Sequence, residues 1–452
     1  MRLTIGVLAF GCVAVLSAQP RVEVPAPTVT GPIKWTVKPP DPSHGYTFNP
    51  TYLDLAAKGY IEEEFFIEGQ ANRYSNGALV DSGHAYKTRI VVRRPTSAKK
   101  FNGTAILEWT NVTGSRDLEM DWFQVAEHLV RSGYAWIGVS AQRVGVNALK
   151  AWSPDRYASL DVTEGGKITD DAVSYDIMVA AALAVRGKSN QDVMGGLKSE
   201  RLIATGHSQS AGRLANYVNQ VHPLNPIVDG VMLHGGGGAI RPDLDVRVWK
   251  LLSETDLRGY PAARQPDTNK LRTWEVAGTS HVDAQSSLHF VELGKLNAGL
   301  PPGAPAAGTC DKPPFSQIPF HYVFAAAFDL MVKWIKTGTP PQSAPGIEFT
   351  SATPPAIARD EDGNSLGGIR LAQHAVPTAV NTGQNRGTAF CMLYGSHVDF
   401  DTARLATLYP SHKAYVDKVK EVTEKNLKAG YILKPDADAT IAAAEKSEIG
   451  KK

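Results

Sequence analysis

A serine in a tight Gly-x-Ser-x-small turn, followed along the chain by a carboxylate and then a histidine, is the minimum set for nucleophilic acyl transfer. The chain of 452 residues contains these groups in that order. Gly206-His207-Ser208-Gln209-Ser210 lies between the apolar run RLIAT and the helical pattern QSAGRLANYVNQ. A strand-turn-helix with this motif is a nucleophile elbow. The sharp turn exposes the serine Oγ, and small flanking residues let strand and helix approach closely. The pattern alone arises by chance on the order of once in a chain this long, so the flanking elements carry the inference. Ser208 is the predicted nucleophile, and the backbone N–H of Gln209, directly after it, is one predicted oxyanion donor.

A serine hydroxyl needs a positioned base, and the base needs an orienting carboxylate. The apolar run Leu271–Ala277 ends in Gly278-Thr279-Ser280-His281, which puts His281 just past a strand, where the base belongs. Its rival is His397, in Gly395-Ser396-His397-Val398-Asp399, an echo of Ser280-His281-Val282-Asp283. Order along the chain favours His281, and His207 is expected to shape the elbow. The preceding strand, Val246–Leu252, leads into Ser253-Glu254-Thr255-Asp256. Alternation along an extended chain puts Glu254 and Asp256 on one side. Asp256, further out in the loop, is the favoured acid and Glu254 the alternative. The second oxyanion donor is expected in the loop Thr110–Gly114, with Val112 and Thr113 as the candidates.

Three segments imitate functional motifs. Gly363-Asn364-Ser365-Leu366-Gly367 matches Gly-x-Ser-x-Gly literally, but ARDED precedes it and GIRLAQ follows, so it reads as a loop. Asp360-x-Asp362-x-Asn364 begins like a calcium loop, yet Ser365 stands where the turn Gly belongs and Leu371 where the bidentate Glu belongs. His234-Gly235-Gly236-Gly237-Gly238 is similar to the oxyanion loop of lipases but follows the serine instead of preceding it. It is expected to line the pocket. No Gly-x-Gly-x-x-Gly opens a helix there, so no dinucleotide is implied. The chemistry calls for no cofactor and no metal ion.

The elements that must position these groups are readable from periodicity. Strands are predicted at Tyr60–Gly69 and Tyr86–Arg94 with no helix between them, which makes that edge antiparallel. Thr104–Trp109, Tyr134–Ser140, Arg201–Thr205, Val228–His234, Val246–Leu252 and Leu271–Ala277 follow. Helices are expected at Asp121–Ser132, Asp171–Arg186, Gln209–Gln220 and from Phe320 to Lys336. The fold class is therefore α/β, a mostly parallel sheet with helices on both faces and an antiparallel amino-terminal edge. Segments 143–165 and 285–318 are expected to roof the pocket, with Trp152 and Tyr157 as candidate substrate contacts. Residues 340–387 read as irregular, and the last forty as polar helices.

Length alone suggests about three domains. The pattern replaces that with a signal peptide at 1–18, cut after Ala18, and an extended arm at 19–45. A catalytic core at 46–340 and a carboxyl-terminal extension at 341–452 on the same domain follow. The charge, 47 basic against 45 acidic residues, gives +2 and no basic stripe, so no nucleic-acid partner is expected. After signal cleavage no apolar run is long enough for a membrane span, and the protein is expected to be secreted or periplasmic. Neither composition nor motif bears on oligomeric state. Of the three cysteines, Cys310 and Cys391 remain after cleavage, either bridged or as two buried thiols.

The segments LEWTNVTG, GYAWIGVSAQ, SPDRY, ATGHSQSAG, SETD, WEVAGTSHVD and GNSLGGIRL resemble the α/β-hydrolase superfamily, and within it a group of exported bacterial "alpha/beta hydrolase domain" proteins. They span residues 107–371. The resemblance implies an α/β-hydrolase fold, Ser208 as nucleophile, His281 as base and an acid in SETD. The expected function is a serine hydrolase acting on a small-molecule or carbohydrate ester. Lactone or amide cleavage by the same triad, or a silent binding protein on the same fold, are the alternatives.

Overall fold

The computed structural model describes residues 21–258, 263–300 and 309–451, so the expected signal peptide lies outside the described residues. A nine-stranded sheet forms the centre. Its strands are β1 (Thr28–Thr30), β2 (Tyr60–Ser75), β3 (Ala78–Pro95), β4 (Thr104–Trp109), β5 (Ala135–Val139), β6 (Arg201–His207), β7 (Gly230–His234), β8 (Arg247–Ser253) and β9 (Leu271–Val276). The spatial order is β1-β2-β3-β5-β4-β6-β7-β8-β9. Pairings from β1 to β5 along this edge are antiparallel, and those from β5 to β9 are parallel. The two amino-terminal strands are longer than predicted. They form one hairpin turning at Asn76-Gly77, both in the left-handed region (φ 49° and 78°). The expected extended arm contributes β1, which closes the sheet edge against β2.

Helices α1 (Met120–Arg131), α2 (Arg143–Trp152), α3 (Pro154–Tyr157), α4 (Ser174–Val185), α5 (Gln209–Asn216), α6 (Ala284–Leu296) and α7 (Phe320–Thr337) follow or connect the strands. The predicted helix 209–220 is α5 plus one wider π turn, Tyr217–Val221. Parallel strands covered on both faces must be apolar on both, and β4, β5, β6 and β7 are buried at every position. Alternation divides them. Leu107, Leu202, Ala204, Val231 and Val248 join the core on one face of the sheet. Ile106, Ile203, Met232, Trp249 and Trp274 join the other, against α1 and α7.

Residues beyond α7 carry short elements: β10 (Phe349–Ala352), β11 (Pro355–Ile357), α8 (Ala372–Ala375), β12 (Ala379–Thr382), α9 (Cys391–Tyr394), β13 (Ser396–Asp399), α10 (Thr402–Leu408), α11 (His412–Lys428) and α12 (Lys434–Lys446). They pack at the β9 end. Ile369 bridges Val276, and Ile369, Leu371 and Tyr394 are buried in the core that includes α7. A disulfide joins Cys310 to Cys391. No helix among the described residues is long and apolar enough to cross a membrane.

Candidate active site

The register of the parallel strands brings their carboxyl ends level. His207 of β6 pairs with His234 of β7, His234 with Leu251 of β8, and Ser253 of β8 with Val276 of β9. The loops leaving these strands therefore meet on one rim, the place where open α/β sheets bind ligands.

Ser208 occupies the turn between β6 and α5 at φ 58° and ψ −114°, a conformation an L-residue adopts only at a cost of about 1–3 kcal/mol. Two contacts hold it. The Ser208 N–H donates to the His234 carbonyl at 2.8 Å. Asn111 Nδ2 donates to the His207 carbonyl at 2.9 Å. The residue is half-buried, its neighbours Gly206 and Ser210 fully so.

His281 and Asp256 are brought together, with Nδ1 and Oδ1 2.5 Å apart. The other Asp256 oxygen accepts from the Ser253 N–H and Oγ, both at 2.7 Å. Burial alone would raise the Asp256 carboxyl, but the His281 ring and these donors hold it below the usual carboxylate range. Glu254 is held elsewhere. Arg359 donates to its Oε1, and the Gly278 N–H to its Oε2 at 3.1 Å. His397 lies on β13, bonded to Asn381 and Asp399 at 2.9 and 3.0 Å, and does not line the cavity that holds Ser208.

That cavity, about 440 Å³ with its open mouth included, is lined by both Ser208 and His281. Asn111, Thr113 and Gly114 form one side, and Leu118, Met120, Val282, Phe290, Phe390, Leu393 and Tyr394 make the rest mostly apolar. Two expectations change here. Segment 143–165 contributes nothing to the lining: Trp152 packs on His44, Tyr46 and Phe48 instead. The Tyr157 hydroxyl is buried and donates to Glu64 at 2.7 Å. Segment 285–318 does contribute, through Phe290 of α6; residues 301–308 lie outside the described residues. The wall at 390–394 was not foreseen at all.

The loop expected to supply an oxyanion donor is fixed from below. Asn111 and Leu118 exchange backbone hydrogen bonds at 2.8 and 2.9 Å, closing residues 111–118 into a loop. Asp117 anchors it by accepting from Thr110 Oγ1 at 3.0 Å and from Ser140 Oγ, with Arg89 at 3.6 Å. Within the loop the Thr113 N–H donates to Asn111 Oδ1 at 2.8 Å, so that predicted donor is committed internally. The N–H groups of Val112 and Gln209 have no protein acceptor among the described residues.

Beneath the serine lies a buried polar chain that the sequence reading missed. His234 Nδ1 lies 2.7 Å from Asp121 Oδ1. Glu108 accepts from the N–H groups of Asp121 and Trp122, both at 2.9 Å. The His207 Nε2–H donates to the His281 carbonyl at 3.1 Å. Burial, then the facing His281 and His234 rings, lowers the His207 pKa and keeps it neutral. A single charged residue, Glu108, in the fully buried TAILEW strand was the available signal, because a carboxylate there requires a partner network. The glycine run after His234 passes against this chain. A Cβ on Gly235 would lie 3.1 Å from both the His207 and the His281 ring.

The literal Gly-x-Ser-x-Gly serine has a different use. Ser365 is fully buried, and its Oγ accepts from the Gly278 N–H at 3.2 Å and lies 3.3 Å from His374 Nε2. Arg370 Nε donates to His374 Nδ1 at 3.2 Å, so the proton sits on Nε2 and this histidine has no lone pair to offer Ser365. Ser365 pins the loop that carries His281. In the calcium-like stretch, Arg404 pairs with Asp362 at 2.6 Å and Glu361 at 3.0 Å. No group of three His, Cys, Asp or Glu among the described residues is placed to hold a metal ion.

An elbow serine, a histidine–carboxylate pair and two spare amides on the carboxyl rim of a mostly parallel sheet define the α/β-hydrolase class. Residues 29–442 match the family described as "Alpha/beta hydrolase domain", and the chain belongs to that family. No curated protein matches the sequence. Among solved structures, similar folds include the esterase Est22, at 11% identity over 43% of this chain and 64% of that one, with a TM-score of 0.27. Another is a lidless α/β serine hydrolase from Xanthomonas campestris (11% identity, 47% of this chain, 85% of that one, TM-score 0.29). A third is a dienelactone hydrolase from Anabaena variabilis (15% identity, 46% and 83%, TM-score 0.29). The chain thus spans just under two thirds of the Est22 structure. Likeness of this degree says nothing of what this chain acts on.

Proposed function

We propose that the protein is an exported serine hydrolase that cleaves carboxylic esters of small molecules through an acyl-enzyme. One observation carries the reading: the elbow serine Ser208 and the Asp256-paired His281 line the same cavity. Ser208 Oγ attacks the ester carbonyl while His281 Nε2 takes its proton. Asp256 stays ionised, fixes the Nδ1–H tautomer and stabilises the imidazolium. The oxyanion is received by the N–H groups of Gln209 and Val112. His281 then returns the proton to the departing alkoxide, and water, activated by the same ring, releases the acid.

The apolar lining supports a small acyl or aryl ester over a sugar. The near-neutral charge fits either and opposes a polyanion. Export is supported by the pattern of residues 1–18 and by the Cys310–Cys391 bridge, since such bonds persist in oxidising compartments. Hydrolysis of 4-nitrophenyl acetate and butyrate tests the activity. The purified protein is expected to turn over at least one, and Ser208→Ala to lose at least 10³-fold in kcat, on the order seen for triad serines. Failure with both esters alongside turnover of an anilide or a lactone would reassign the substrate.

A further inference from the structure

Arg116 stands on the oxyanion loop, half-buried, with no hydrogen bond or ion pair to any described residue. A part-buried guanidinium without a carboxylate is unusual, because burial penalises the charge and a partner normally offsets it. Here burial pulls the Arg116 pKa down with no opposing charge nearby. Its neighbour Asp117 is turned inward to Thr110, Ser140 and Arg89. The segments outside the described residues (1–20, 259–262, 301–308 and 452) contain neither Asp nor Glu. No acidic side chain among the described residues pairs with it.

Arg116 lines a second, narrow cleft of about 260 Å³ with its open mouth included, whose walls include Asn49, Asn297, Leu118 and Phe290. Leu118 and Phe290 also line the cavity of Ser208, so these two side chains border both spaces. Each asparagine commits one of its two Nδ2 N–H groups to a neighbour. Asn297 Nδ2 donates to Asn49 Oδ1 at 2.9 Å, and Asn49 Nδ2 donates to the Asp117 carbonyl at 3.0 Å. Among the described residues, Arg116 is the one charged residue in the lining of the second cavity.

Resting on the ester-hydrolase reading, we propose that the substrate is an ester carrying a carboxylate remote from the scissile bond, with Arg116 as the residue that recognises it. The reacting carbonyl lies at Ser208, the apolar middle crosses Leu118 and Phe290, and the carboxylate meets the planar fork of Arg116, a geometry suited to two parallel hydrogen bonds.

Two matched ester pairs test this. One varies the acyl side: mono-4-nitrophenyl adipate against 4-nitrophenyl hexanoate. The other varies the alcohol side: 4-carboxyphenyl butyrate against phenyl butyrate. The parent enzyme is expected to favour the anionic member of at least one pair by tenfold or more in kcat/KM. Arg116→Gln is expected to bring that ratio near one, Arg116→Lys to keep part of it, and added salt to reduce it. A ratio near or below one in both pairs, or a ratio that survives Arg116→Gln, overturns the assignment. If no ester is turned over, the assignment falls with the reading it rests on. Turnover of the neutral esters without preference overturns the role of Arg116 alone.

Discussion

Asp256 and Glu254 stand two residues apart on one loop, and alternation along an extended chain could not separate them. Ser253 leads instead into a 3-10 turn, Glu254–Leu257. Its three-residue period sends Asp256 to His281 and Glu254 inward to Arg359. The consequences of mutation differ accordingly. Asp256→Asn should lower kcat by about 10³–10⁴-fold with little change in melting temperature, because the amide leaves His281 in the wrong tautomer. Glu254→Gln should keep most of kcat and lower stability by about 1–3 kcal/mol, since it strips a partly exposed arginine of its partner. The reverse pattern in steady-state rates and melting curves would exchange the two roles. The positions of Ser208, His281 and Gln209 on the rim were legible because each sits beside a strand or helix that periodicity defines. Thr113 was misread because the bond that commits its N–H runs to a side chain two residues back, and spacing does not reveal it.

The elements around the site show where pattern reading holds and where it stops. β6 and α5 were readable because a buried strand and an amphipathic helix flank the turn. α6 was not, because Leu288 and Val291 stay exposed and its apolar residues do not form one stripe. The loop with His281 depends on contacts distant in sequence, which no local pattern encodes. The Val282 N–H donates to the Leu393 carbonyl at 3.0 Å, and Ser316 Oγ to the Gly278 carbonyl at 2.6 Å. The glycine run after β7 is part of the same support. Gly235 has φ 65°, and any Cβ there crowds both histidine rings. Gly235→Ala should cost about 1–2 kcal/mol in backbone strain alone. It should also lower kcat roughly tenfold or more by displacing His281, with KM less affected. An unchanged kcat would mean that the ring position does not depend on this contact.

Over the whole molecule, buried neutral histidines tie stability to pH. Burial, with Arg370 and Arg359 adding to it, lowers the His374 pKa from 6.5 to about 3. The unfolded chain takes up that proton near the ordinary value and the folded chain does not. This contribution is therefore complete above pH 6.5 and is lost as pH falls toward about 3. His374→Gln removes the dependence. The stability gap between parent and variant should shrink by about 2–3 kcal/mol between about pH 7 and about pH 4.5. Denaturant melts at the two pH values check this, and a constant gap contradicts it. At this scale the sheet with its helices was legible from alternating periods, whereas the packing of residues 341–451 against β9 was not, because short elements joined by turns leave no period to read. The central claim is that Ser208, and not the motif-perfect Ser365, is the nucleophile. Labelling the intact protein with a fluorophosphonate and locating the adduct by peptide mass spectrometry tests it most directly. A single adduct on Ser208, abolished in Ser208→Ala and unaffected in Ser365→Ala, is the predicted result. An adduct on Ser365 or elsewhere, or none on folded protein, would contradict it.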